Sequence, residues 1–114
     1  MDYISWEDFV KVQIQLGTIK AAEVPEGSEK VIKLTVDFAE GQPRTIFAGI
    51  KKWFAPETLI GKQLPFVTNI APRRMGNLGE SQGMLVAAAG IIDDEEQISL
   101  LEPSVRLPDG SEVR

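Results

Sequence analysis

The chain contains neither cysteine nor histidine. The first absence removes disulfide frameworks and thiolate chemistry. The second removes the commonest general base and the commonest metal ligand together. A Ser-His-Asp triad, a Cys-His pair and an ordinary zinc centre are therefore excluded. No segment approaches the length of a transmembrane helix, and the start, Met1-Asp2-Tyr3-Ile4-Ser5-Trp6-Glu7-Asp8, lacks the basic residues of a signal peptide. A soluble cytoplasmic protein that does not associate with membranes is expected. With 114 residues, 43% of them hydrophobic, residues 1–114 suffice for one domain with a single core.

The net charge of −5 hides a segregation. Residues 1–40 hold four lysines against eight acids, and residues 80–114 hold two arginines against eight acids. The middle, residues 41–79, holds Arg44, Lys51, Lys52, Lys62, Arg73 and Arg74 against Glu57 alone, a balance of +5. An acidic molecule built this way can still present a basic face, although an ordinary solvated surface is the plain alternative.

The stretch Asn69-Ile70-Ala71-Pro72-Arg73-Arg74-Met75-Gly76-Asn77-Leu78-Gly79-Glu80-Ser81-Gln82-Gly83-Met84 is the most distinctive. Adjacent arginines beside a proline and three glycines suit a loop that docks phosphates and lets backbone approach a ligand closely. The apolar run Met84 to Ala89 then reads as a buried strand. Gly76 to Gly83 lacks a following Lys-Ser/Thr, so it is not a nucleotide phosphate loop. The acidic run Asp93–Glu96 lacks calcium-loop spacing and reads as a solvated turn. No catalytic residues, metal site or cofactor are expected, and the chain reads as a binding module.

Ser5 is a candidate N-cap for a short helix with acids in its first turn. From Val12 the apolar period becomes two, with Gly17 marking a bulge or bend. Ile32, Leu34, Val36 and Phe38 alternate with polar residues as a second strand, and Arg44 to Ala48 forms a third. Pro56 suits the first turn of a short helix and Gly61 its end. Gln63 to Ile70 is a fourth strand, which Pro65 marks as an edge or bulged one. Met84 to Ala89 is the fifth, and Gln97 to Leu101 extends it after the acidic turn. This order predicts an all-β fold: a five-stranded OB barrel with a short helix between strands three and four. The barrel core runs from about Lys11 to Leu101, leaving both ends as extensions. Tyr3, Ile4, Trp6, Phe9 and Val10 give the first of these a high apolar load. Either end could fold back on its own barrel or pack against a second copy.

Several segments, in order and in mutual spacing, carry a resemblance. They are Asp8-Phe9, Leu16-Gly17-Thr18-Ile19, Glu29 to Asp37, Ala48-Gly49-Ile50, Pro56 to Lys62, Asn69-Ile70-Ala71-Pro72 and Ser81-Gln82-Gly83-Met84. From Trp6 to Val113 the chain resembles the tRNA-binding domain that occurs as a free bacterial protein and at the C-terminus of many methionyl-tRNA synthetases. It is also similar to the domain of tRNA-binding cytokine precursors. The resemblance implies an OB-fold homodimer, with N- and C-terminal dimerisation extensions, that holds tRNA by shape and without catalysis. The partners it implies are tRNA, a second copy and an aminoacyl-tRNA synthetase, namely a methionyl-tRNA synthetase assisted in trans.

The RNA contacts carried over are Lys30, Lys33, Asn69, Arg73, Arg74, Ser81 and Met84. Residue chemistry alone leaves alternatives open at these positions. Lys30 and Lys33 also suit the polar face of a strand. Asn69 and Ser81 can satisfy loop amides and carbonyls, and a methionine such as Met84 commonly fills a core. Trp53 and Phe54 are expected to pack against the barrel. A sister branch of the same architecture comprises export-related chaperones that bind unfolded polypeptide, which is the alternative ligand. Thr45-Ile46-Phe47-Ala48-Gly49-Ile50 and Gly27-Ser28-Glu29-Lys30 stand closer to the tRNA binders.

Overall fold

Alternation of apolar and polar side chains gives β2 (Ile32–Asp37) one inward face: Ile32, Leu34 and Val36 are buried, whereas Lys33, Thr35 and Asp37 are half-buried. In the computed structural model, which describes residues 1–114, this strand lies between β1 (Ile14–Glu23) and β3 (Arg44–Ala48). On its other edge β1 pairs with β4 (Gln63–Val67), and β4 pairs with the two-residue β7 (Met84–Leu85). The order β3-β2-β1-β4-β7, antiparallel throughout, is the nearly closed five-strand barrel of an OB fold. Its interior is filled by Ile19, Ile32, Leu34, Val36, Ile46, Leu59, Leu64 and Phe66. Phe38 meets Phe66 edge to face at 5.5 Å between ring centroids.

Gly17 does not mark a bulge. It stays in register opposite Leu64, and the irregularity in β1 falls between Ile19 and Ala21. A Cβ at Gly17 would stand 2.6 Å from Val36 Cγ1 and from Phe38 Cε1, so the absent side chain makes room for the core. Gly17→Ala is expected to cost about 1–3 kcal/mol by overpacking, measurable by urea unfolding. An unchanged midpoint would show that Val36 and Phe38 move aside freely.

Pro65 sits opposite Leu16 inside the ladder, not at an edge. Leu16 sends its own N–H and C=O the other way, to Ser111 O and Gly110 N, so it requires nothing of Pro65. Pro65 in turn faces the short β7 side, where its carbonyl accepts from Val86 N–H. A missing donor is tolerated on that side. The helix between strands three and four is a single 3₁₀ turn, Pro56–Thr58, with proline at its start. Gly61 follows with φ +89°, a conformation that suits glycine.

The expected buried strand from Met84 to Ala89 is broken and largely exposed. Only Met84 and Leu85 join the barrel; Ala87–Ile92 (β8) leaves it and pairs with Glu95–Leu100 (β9) as a separate two-stranded ribbon. Ala88 and Ala89 are exposed, because alanine side chains carry too little apolar area to force burial. Ile98 and Leu100, on the return strand, pack against the core instead. Asp93 and Asp94 form the two-residue turn with φ of 50° and 66°. No group of three or more acidic side chains converges as a metal site there or elsewhere.

The two ends behave differently. Ser5 caps α1 (Trp6–Phe9), accepting from Asp8 N–H at 3.0 Å, but the helix buries none of its residues. Trp6 and Phe9 touch each other, with ring centroids 5.8 Å apart. The C-terminal tail, by contrast, is tied to its own barrel. β10 (Glu112–Val113) pairs with β1, and Asp109 accepts hydrogen bonds from Thr18 Oγ1 and Gln63 Nε2. The sheet therefore draws on residues beyond Leu101. No helix is long and apolar enough to cross a membrane.

Candidate nucleic-acid interface

The distinctive loop folds into a small hairpin, β5 (Arg73–Arg74) against β6 (Glu80–Ser81), closed by Met75 N–H to Gly79 O at 2.8 Å. Gly76 and Gly79 adopt φ of 55° and 119° in the turn, which is why glycines stand there. Arg73 and Arg74 are exposed, and neither forms a salt bridge. Arg74 faces Glu80 across the hairpin without pairing to it. The only hydrogen bond of the Arg73 side chain is with Met75 Sδ at 3.5 Å. Two planar guanidinium forks thus stand outside any salt bridge on a short ribbon, an arrangement suited to bidentate phosphate binding.

Arg44, from the same basic block, is fully engaged. Its Nε donates to Glu40 at 2.6 Å, and its Nη1 donates to Thr68 O at 2.7 Å and Gln82 O at 3.1 Å. The guanidinium also lies over the Phe38 ring, 5.4 Å from its centroid. Arg44 therefore anchors the base of the hairpin. Charge counting gave Arg44 the same weight as Arg73; nothing local in the sequence separates them.

Ser81 and Gln82 close the barrel where β3 and β7 lack a continuous ladder. Buried Ser81 Oγ accepts from Phe47 N–H and donates to Gly83 O, both at 3.0 Å. Gln82 Oε1 accepts from Thr45 N–H, and Gln82 N–H donates to Thr45 O. The Ser81 hydroxyl is thus occupied within the chain. Asn69 is occupied too: its Oδ1 accepts from Gln13 N–H at 2.8 Å and its Nδ2 donates to Lys11 O. Both residues hold backbone in place, the role that residue chemistry left open for them.

Met84 is 48% exposed, so it is not a core residue. It shares a depression of about 280 Å³ with Arg73, Ser81 and the β3 end at Phe47 and Ala48. Gly49 borders this depression and also an adjoining one lined by Lys30, Lys51, Lys52 and Trp53. Lys33 lies on the outer face of β2, with Nζ 3.8 Å from Glu23. Asn69 and Arg74 fall outside both depressions. Lys51 and Lys52 were counted in the basic block but not singled out from it. Trp53 packs against the core as expected, and its Nε1 donates to Glu96 O at 3.0 Å, fastening the β8–β9 ribbon.

The family model described as "Putative tRNA binding domain" matches residues 14–112. The chain belongs to this tRNA-binding domain family. Among curated relatives, methionine–tRNA ligase of Thiobacillus denitrificans is 41% identical over 97% of the chain but only 16% of the ligase. That of Myxococcus xanthus is 43% identical over 97% of the chain and 15% of the ligase. The chain thus spans about one-sixth of the length of these relatives. Among solved structures, the MetRS-related protein of Pyrococcus horikoshii superposes with a TM-score of 0.89 at 36% identity, over the whole of both chains. The chaperone CsaA of Bacillus anthracis superposes with a TM-score of 0.84 at 29% identity, over 99% of this chain and all of that one.

Proposed function

We propose that this tRNA-binding domain acts as a non-catalytic homodimer that grips tRNA by its shape and assists a methionyl-tRNA synthetase in trans. The observation that carries this reading is the pair of arginines on the β5–β6 hairpin, exposed and engaged in no salt bridge in an otherwise acidic molecule. Lys30, Lys33, Arg73 and Arg74 supply phosphate contacts, which give affinity and register but read no sequence directly. Met84 offers apolar contact, while Asn69 and Ser81 act by fixing the backbone on which the contacts ride. Shape selection then comes from two copies presenting these groups at a fixed separation to one bent RNA.

The dimer is supported by the N-terminal segment. Tyr3 is 90% exposed and Trp6 74%, with Ile4, Phe9 and Val10 exposed beside them. Apolar side chains gathered in this way mark an association surface, and a two-fold interface would use the same patch from both chains. Light scattering at micromolar concentration is expected to give a dimer, and deletion of Met1–Val10 a folded monomer. A monomeric full chain would contradict the dimer.

The likeness to CsaA supports a second reading, binding of unfolded polypeptide. Bulk tRNA, duplex RNA and a permanently unfolded polypeptide, compared side by side, separate the two. The tRNA reading expects tRNA to bind tightest; preference for the polypeptide would overturn it.

A further inference from the structure

We infer that the depression beside Gly49 is a pocket for one unstacked base of an unpaired nucleotide, with the flanking phosphates held on either side of it. This inference rests on the tRNA-binding reading and adds to it a single-stranded element. The cavity, about 280 Å³, is at the small end for ligand sites, which suits one planar ring system. Its walls are mainly apolar: Ile70, Met84, Leu85 and Ile98 can sandwich a base, and Arg73 stands at the rim. Across Gly49 lies a depression lined by Lys30, Lys51 and Lys52 against the single acid Glu29, where Lys51 Nζ donates to Ser28 O at 3.1 Å and Lys52 Nζ is 5.5 Å from the Trp53 ring centroid. An apolar pocket between two cationic flanks matches the alternation of base and phosphate along a single strand.

The backbone supports the same occupant. No group of the chain bonds the main-chain N–H or C=O of Gly49 and Ala71, both of which border the cavity. They remain available to the polar edge of a base. Gly49 has open space where a Cβ would stand, and its φ lies outside the left-handed region. The fold does not require glycine there, but a side chain at that point would stand on the saddle between cavity and cationic flank. A duplex cannot use such a pocket, because its bases stay stacked.

The test measures fluorescence anisotropy of a short labelled single-stranded RNA, a duplex of the same sequence, a full tRNA transcript and a permanently unfolded polypeptide. The wild-type chain is compared with Gly49→Leu and Met84→Glu, each checked for folding by its thermal transition. The inference expects the wild type to favour the single strand over the duplex by about tenfold, the worth of one base contact, and both variants to lose that preference. A wild type that binds duplex and single strand equally, or variants that keep the preference, would overturn the pocket while tRNA binding by the wild type still stands. If no RNA binds the wild type, the pocket and the tRNA reading fall together. Variants that lose unfolded-polypeptide binding but keep the single strand would assign the cavity to polypeptide and overturn the inference.

Discussion

Replacing Arg73 and Arg74 together with alanine is expected to weaken tRNA binding by at least about a hundredfold at low salt, since each charge-assisted contact contributes about 1.5–3 kcal/mol. The slope of log affinity against log salt should become shallower by about four, two phosphate contacts being lost from each of the two protomers. Folding should be nearly untouched, with a change within about 0.5 kcal/mol, because such surface groups support no other part of the chain. The two arginines form no salt bridge and lie on a two-stranded ribbon outside the barrel sheet. A double variant that binds tRNA as the parent does, with the same slope, would remove these residues from the interface. Arg44→Ala is the instructive contrast. Its guanidinium ties Glu40, Thr68 and Gln82 together, so the first loss there is stability.

Asp109→Ala should be among the most destabilising single changes outside the apolar core. The Asp109 carboxylate accepts from Thr18 Oγ1 and from Gln63 Nε2 at 2.9 Å. Thr18 is 2% exposed and Gln63 4%, so neither can turn to water when the carboxylate is gone. Unpaired buried donors of this kind cost about 2–3 kcal/mol. For a domain of this size that lowers Tm by roughly 10 °C. The tail around Asp109 is further held by Gln63 Nε2 to Leu107 O at 2.7 Å and by Gly110 N–H to Leu16 O at 2.7 Å. An unchanged Tm would show that the tail is dispensable to the barrel. The C-terminal segment thus works first as part of its own fold, and the N-terminal helix is the end left with unburied aromatic rings.

The barrel was legible wherever the period-two signal was clean. The second strand falls where alternation placed it, because one buried face fixes the register of a strand, and Arg44 to Ala48 forms the third strand as expected although its last three residues are all buried. Ser5 as N-cap and Pro56 at the start of a short helical turn were equally readable, since each reflects a local backbone requirement. The fifth strand was not. Half of its apolar run is alanine, which packs equally well in a barrel wall or on an exposed ribbon, and only the partner strand decides. The role of Gly17 depended on Val36 and Phe38 from the neighbouring strand, and that of Pro65 on which way Leu16 turned its backbone groups. Within the candidate site, the free state of Arg73 and the engaged state of Arg44 are tertiary facts. The occupied hydroxyl of Ser81 and amide of Asn69 belong to the same class, since each bonds backbone distant in sequence.

The salt dependence of tRNA affinity for the wild-type chain tests the central claim most directly. If the four cationic side chains of each protomer neutralise phosphates, eight in the dimer, log affinity should fall linearly with log salt with a slope of about −6 to −7. An affinity that does not change with salt, or tRNA binding no stronger than that to an unfolded polypeptide under the same conditions, would contradict it.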